Sequence, residues 1–174
     1  MRRGLFVGRF QPPHYGHFHA LKWIVEKGGV DEVVVVIGSA QESHTLRNPF
    51  TAGERFEMLL RGLRETLGSS QGFIIAPVPD IAMNFVWTRY LEMLLPSFDV
   101  VFTRNPLVAR LFEEYGYEVR MQPAFDREVY SATRIREMML RGDARWRELV
   151  PSSVAEYIES IGGVERLRRL AGGD

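Results

Sequence analysis

Residues 32 to 38 read Glu-Val-Val-Val-Val-Ile-Gly, and this unbroken β-branched run constrains the fold more than any other segment. A strand with one face in water alternates apolar and polar residues. A strand that is apolar throughout suits the middle of a parallel sheet, buried on both faces. The remaining segments fit such a sheet. Leu5-Phe6-Val7 is a short apolar strand ending at Gly8. His17 to Lys27 follows as a helix, with Leu21, Ile24 and Val25 on one face and Gly28-Gly29 as its stop. Thr51 and Glu54 form a capping box for a helix running to about Leu67. Phe73 to Val78 is the third strand, and Asn84 to Leu95 a helix stopped by Pro96. Asp99 to Thr103 is the fourth strand, Pro106 to Tyr115 a helix ended by Gly116, and Tyr117 to Met121 the fifth strand. Ser131 caps a helix to about Arg141, stopped by Gly142. This alternation predicts an α/β fold with a doubly wound, parallel five-stranded sheet and ligands at the carboxyl ends of the strands.

The 174 residues suit a single domain, 1–174, with a core of about residues 1–142 and a helical tail of about 146–171. In that tail Ser152 to Ile161 and Val164 to Leu170 are short helices split by Gly162-Gly163, expected to pack on one edge or on another subunit. No apolar run approaches the roughly 20 residues of a membrane span, and the N-terminus lacks a secretory pattern, so a cytoplasmic location is expected. With no cysteine, thiolate nucleophiles, disulfides and cysteine zinc sites are excluded. Zero formal net charge, and no basic stripe interleaved with aromatics, argue against nucleic acid as a partner. Lys22 and Lys27 are the only lysines; the other cations are arginines, whose planar fork of donors suits phosphate.

Two helix starts carry the chemistry. The first is Gly8-Arg9-Phe10-Gln11-Pro12-Pro13-His14-Tyr15-Gly16-His17, which joins the first strand to the first helix. A helix beginning near His17 turns its free N–H groups and positive dipole end toward this loop, favouring a phosphate. Gly16 lets a phosphate approach the backbone, His14 and His17 can donate to its oxygens, and Arg9 adds a permanent charge. The loop has neither a P-loop lysine nor a dinucleotide glycine fingerprint. His14, His17 and His19 are not read as a metal site, because nearby acidic ligands are absent and the helix dipole opposes a cation. His19 falls about 200° around the helix from His17 and is read as structural. The second start is Tyr130 to Arg136: Ser131 caps it, and Thr133 and Arg136, three apart, share a face. A hydroxyl, backbone N–H groups and a guanidinium then converge as a second phosphate clamp.

Together these segments resemble the HxGH nucleotidyltransferase superfamily. His14-Tyr15-Gly16-His17 matches its HxGH element, and Ser131-Ala132-Thr133-Arg134-Ile135-Arg136 its [IS]-S-T-x-x-R element, with Ala132 departing from the usual serine or glycine. The chain is more similar still to the archaeal-type nicotinamide-nucleotide adenylyltransferases. That similarity lies in Gly8 to Pro12, Ile37 to Gln41, Arg47 to Arg55, Asp80-Ile81 with Asn84 and Trp87, and Asn105 to Val108. It spans nearly the whole chain. The resemblance implies a Rossmann-like nucleotidyltransferase fold that joins ATP to nicotinamide mononucleotide (NMN), giving NAD and pyrophosphate. His14 and His17 would hold ATP phosphates, with Gly8 and Phe10 in the same loop. Arg9 and Arg47 would neutralise charge, and Ser131, Thr133 and Arg136 would take the β/γ end. Gly38-Ser39-Ala40 would lie at the sheet's switch point. Trp87 would stack on the nicotinamide ring, with Asn84 at its carboxamide and Asn105 bordering the adenosine. Mg²⁺ is expected between the phosphates, since no carboxylate cage is visible. The resemblance also suggests a homo-oligomer, often a hexamer. Arg55 is read as a surface helix residue without a role. The alternatives are a sibling adenylyl- or cytidylyltransferase with another acceptor, such as phosphopantetheine or FMN, and a non-catalytic nucleotide sensor.

Overall fold

The computed structural model describes residues 1–172. Five parallel strands form one sheet: β1 (Arg3–Gly8), β2 (Glu32–Ile37), β3 (Phe73–Pro77), β4 (Val100–Phe102) and β5 (Glu118–Arg120). Their order is β3-β2-β1-β4-β5. The Val33–Ile37 run is buried throughout, as its composition predicts, with β1 and β3 on either side. Each such side chain withdrawn from water contributes about 1.5–3 kcal/mol. β1 is the central strand, and its register runs from Arg3↔Glu32 to Gly8↔Ile37 on one side and from Gly4↔Val100 to Phe6↔Phe102 on the other. The chain works outward from β1 to β3, then returns to lay β4 against β1. The switch point therefore lies between β1 and β4. Gly38, Ser39 and Ala40 follow β2, so the sequence expectation that they mark the switch point is corrected: Gly8, at the end of β1, does so.

The helices are α1 (Tyr15–Lys27), α2 (Ala52–Leu67), α3 (Asn84–Leu94), α4 (Pro106–Glu113), α5 (Ala132–Arg141), α6 (Ser152–Ser160) and α7 (Gly163–Gly172). A 3₁₀ segment, Ala144–Leu149, lies between α5 and α6. By packing, the described residues form two compact units. One comprises Met1–Gly8, Ala20–Ala40 and Gln71–Pro123, hence the whole sheet with α3 and α4. Its core gathers Leu5, Val34, Val36, Leu91, Phe98, Val101 and Phe112. The other comprises Arg9–His19, Gln41–Ser70 and the described residues from Ala124 onward, hence α2, α5, α6 and α7.

The helix ends in this second unit follow their capping residues. Thr51 Oγ1 accepts from the Glu54 N–H at 3.1 Å, and the Glu54 carboxylate accepts from the Thr51 N–H at 2.8 Å, completing the capping box of α2. Ser131 caps α5, and Gly142 closes it at φ 74°. The tail helices lie on α2 and α5, which corrects the expectation of a sheet edge. Arg166 of α7 grips the Glu54 carboxylate with both Nη atoms, at 2.7 and 2.8 Å, and donates to the Pro49 carbonyl at 3.0 Å. Glu65 of α2 accepts from the Ser152 and Ser153 N–H groups at 3.0 and 2.8 Å, so its carboxylate caps α6. No helix among the described residues is long and apolar enough to cross a membrane.

Candidate active site

In the second unit, α1 begins at Tyr15, two residues before the expected start. The reason lies in its cap. His14 Nδ1 accepts from the Gly16 N–H at 3.1 Å, while His17 Nδ1 accepts from the His14 N–H at the same distance. The two histidines thus do for α1 what threonine and glutamate do for α2. Histidine is not a favoured cap residue, which is why the sequence pattern misplaces the start. The rings stack with centroids 3.8 Å apart. A Cβ on Gly16 would meet His14 Cε1 at 2.9 Å and Nδ1 at 3.0 Å, so glycine is required here by the histidine ring.

This arrangement settles the tautomers. An Nδ1 that accepts a hydrogen bond carries no proton, so each neutral imidazole bears its hydrogen on Nε2. Both rings then present an Nε2–H donor. Burial lowers the pKa of His14 to about 3. Burial, and then the adjacent His14, hold His17 well below the usual histidine range. The unfolded chain protonates both imidazoles near pH 6.5. Between that value and about 3 the unfolded state binds more protons than the folded one, so stability present above about pH 6.5 is lost as pH falls toward 3. The melting temperature is expected to drop between about pH 7 and pH 5. His14→Asn, which keeps a capping acceptor but cannot titrate, is expected to shallow that limb. Parallel limbs in the two proteins would contradict the assignment.

Phe10 sits in the same loop at φ 55°, a backbone region unusual for an aromatic residue. Its side chain is 1% exposed and meets the His17 ring edge-on at 4.7 Å. It therefore supports His17 from behind. His19 is exposed and lies among the rings of Tyr15, Phe125 and Tyr130, in keeping with a structural role.

Arg136 ties the second helix start to this loop. Arg136 Nη1 donates to the Gln11 carbonyl at 2.8 Å, and Nη2 reaches Thr133 Oγ1 at 3.4 Å. The two motifs, 125 residues apart in sequence, are thereby joined. Ser131 Oγ accepts from the Arg134 N–H, as a cap should. Burial, then the like charges of Arg47 and Arg9, lower the pKa of Arg136. A guanidinium remains charged regardless, so three cations repel one another here until an anion joins them. Arg9 and Arg47 are exposed, Arg47 in a turn tied by the Asn48 N–H to Thr45 Oγ1 at 2.9 Å. Arg55 corrects the sequence reading: it is fully buried, and its guanidinium donates to the carbonyls of Thr51, Arg9 and Glu42. Only its place one turn inside the capping box hinted at this.

In the first unit, Gly8 accepts from the Gly38 N–H at 2.8 Å. Ser39, at φ 48°, is 4% exposed and donates its hydroxyl to Asp80 at 3.1 Å; the Ala40 N–H donates to the Val78 carbonyl. These bonds knit the carboxyl ends of β1, β2 and β3. Asn84 is the exposed first residue of α3, whose preceding residue, Met83, supplies no side-chain cap. Trp87, one turn on, is half-buried and meets Phe112 edge-on at 5.5 Å. Asn105 caps α4, accepting from the Leu107 and Val108 N–H groups at 2.9 and 3.3 Å, so its side-chain oxygen is engaged.

A cytidylyltransferase-like family model matches residues 5–138. A Pyrococcus furiosus protein named nicotinamide-nucleotide adenylyltransferase is 55% identical over 98% of this chain and 90% of its own length. A Pyrobaculum arsenaticum protein of the same name is 52% identical over 100% and 97%. Among solved structures, the chain is similar to a bifunctional NMN adenylyltransferase/ADP ribose pyrophosphatase from Francisella tularensis, solved with AMP and a manganese ion. The TM-score is 0.71 and the identity 19%, over 96% of this chain. The chain spans about half (52%) of that protein, and at this identity the likeness concerns the fold. With its motif-bearing loops in place and relatives matched from end to end, the chain belongs to the cytidylyltransferase-like family, among the archaeal nicotinamide-nucleotide adenylyltransferases.

Proposed function

We propose that the chain joins ATP to NMN, forming NAD and releasing pyrophosphate. One observation carries this reading: Arg136 bonds the Gln11 carbonyl at 2.8 Å within reach of the charges of Arg9 and Arg47, beside two imidazoles that offer Nε2–H. Such an array matches a triphosphate. The NMN phosphate oxygen attacks the α-phosphorus in line. The bond from that phosphorus to the bridging oxygen breaks, and pyrophosphate leaves with the electron pair. His14 and His17 donate to α-phosphate oxygens; Arg9, Arg47, Thr133 and Arg136 hold the departing β/γ end. The backbone at Gly16 and the start of α5 at Ser131 are assigned to the phosphates, and Gly8 to the ligand in the first unit. Catalysis is positioning plus stabilisation of developing charge, with no covalent intermediate.

NMN is assigned to the start of α3, with Trp87 against the nicotinamide ring and Asn84 at its carboxamide, near Gly38, Ser39 and Ala40 in the chain's first unit. Asn105 is assigned to the adenosine, through groups other than its capping oxygen. Mg²⁺ is assigned to the phosphates of ATP, on which it would arrive. The reading takes the enzyme as a cytoplasmic homo-oligomer.

The test mixes ATP with NMN and measures NAD and pyrophosphate, with phosphopantetheine and FMN as alternative acceptors. Equimolar NAD and pyrophosphate are expected; pyrophosphate only with another acceptor would refute the assignment. Trp87→Ala is expected to raise KM for NMN more than KM for ATP. Equal rises would leave Trp87 as core packing against Phe112.

A further inference from the structure

We infer that Arg55 is a positioning residue for the phosphate-binding arginines, an inference that rests on the reading above. Its charge is buried, at 0% exposure, in the first turn of α2. Nε donates to the Thr51 carbonyl at 3.1 Å, Nη1 to that of Arg9 at 2.9 Å and Nη2 to that of Glu42 at 3.4 Å. Thr51 belongs to its own helix. The other two acceptors are the residues whose backbone carries the anion site. Arg9 itself is one of the three converging cations, and Glu42 begins the loop that leads to Arg47.

Neighbouring bonds make the same connection. Gln11, 2% exposed, pairs its side-chain amide with the backbone of Phe50, donating to the carbonyl and accepting from the N–H, each at 2.9 Å. The Gln11 carbonyl receives Arg136. Arg166 holds the Pro49 carbonyl and the Glu54 carboxylate. The Arg9 loop, the Arg47 loop and the start of α2 are thus one bonded frame, and Arg55 is its central fork.

The physical need for such a frame follows from the charges. Arg9, Arg47 and Arg136 repel, and exposed arginines would swing apart if their backbones were free to move. A site that holds its donors in place before the phosphates arrive avoids reorganising during the reaction. A planar guanidinium carries its donors on three nitrogens in a fixed fork, whereas an ammonium carries its three on a single rotating nitrogen. A lysine keeps the charge but has no rigid fork, so it cannot hold three carbonyls in fixed relation. The structure therefore assigns Arg55 to geometry rather than to contact with substrate.

The test is a double-mutant cycle on the full chain with Arg55→Lys and Arg9→Ala, read as kcat/KM for NAD formation, with melting curves to confirm folding. Arg55→Lys is expected to lower kcat/KM about ten- to a hundredfold in the native background. In the Arg9→Ala background, where one of the placed cations is already gone, the same change is expected to cost several-fold less than in the native background. KM for NMN should move little in either case. Equal losses in both backgrounds, or an Arg55→Lys protein that only melts earlier, would overturn the inference. If Arg55→Lys does not fold, Arg55→Gln, which can still donate to one carbonyl, replaces it in the same cycle. If the native chain forms no NAD, the functional reading fails instead, and the cycle is read on affinity for inorganic pyrophosphate by calorimetry. Coupling there supports the positioning role; additivity removes it.

Discussion

His17→Asn is expected to stay folded and to lose about 10²–10³ in kcat. The asparagine oxygen falls where Nδ1 stood, so the His14 N–H keeps an acceptor and α1 keeps its start. What disappears is the Nε2–H, the only hydrogen that the neutral ring can offer a phosphate. His17→Gln reverses the exchange. Its terminal amide nitrogen reaches toward the Nε2 position, while the helix start loses its acceptor, at about 0.5–2 kcal/mol of stability. The glutamine protein should therefore melt earlier yet turn over faster than the asparagine protein. Together the two substitutions separate structure from chemistry within one ring. An asparagine variant with near-normal turnover would show that the Nε2–H is not used.

Arg136→Ala should lose a comparable 10²–10³ in kcat. Here the effect on stability runs against intuition. The substitution deletes the bond to the Gln11 carbonyl, worth about 1 kcal/mol, but also removes one of three like charges. The two effects oppose each other, so the melting temperature should shift by only a few degrees. Pyrophosphate should raise the melting temperature of the native chain, through preferential binding to the folded state, and do so far less for the variant. A variant that is strongly destabilised, yet still stabilised by pyrophosphate as the native chain is, would make Arg136 a structural residue.

The sheet, the helix order and most helix ends were legible in local chemistry. The Val33–Ile37 run could only be buried on both faces, and Thr51 with Glu54, Ser131 and Gly142 each ended a helix by a mechanism visible in single residues. The errors arose where residue types do not announce which atoms they bond. The start of α1 moved because two histidines cap it, using ring nitrogens whose geometry no residue-type preference describes. The Ala144–Leu149 segment has too little periodicity to announce itself; it is set by Asp143, which accepts from the Arg145 N–H, and by burial of Trp146. Arg55 looked like a surface residue because its acceptors are backbone carbonyls, which every residue possesses and no sequence pattern marks. The switch point was misplaced because strand order depends on which strand the chain returns to after β3.

The most direct measurement is a crystal structure with a non-hydrolysable ATP analogue. The account predicts Nε2 of His14 and His17 within hydrogen-bond distance, about 3 Å, of phosphate oxygens, and the Arg136 guanidinium bridging the β/γ end with Arg9 and Arg47 alongside. A triphosphate bound away from both imidazoles, or with Arg136 still engaged only by Gln11 and Thr133, would contradict it.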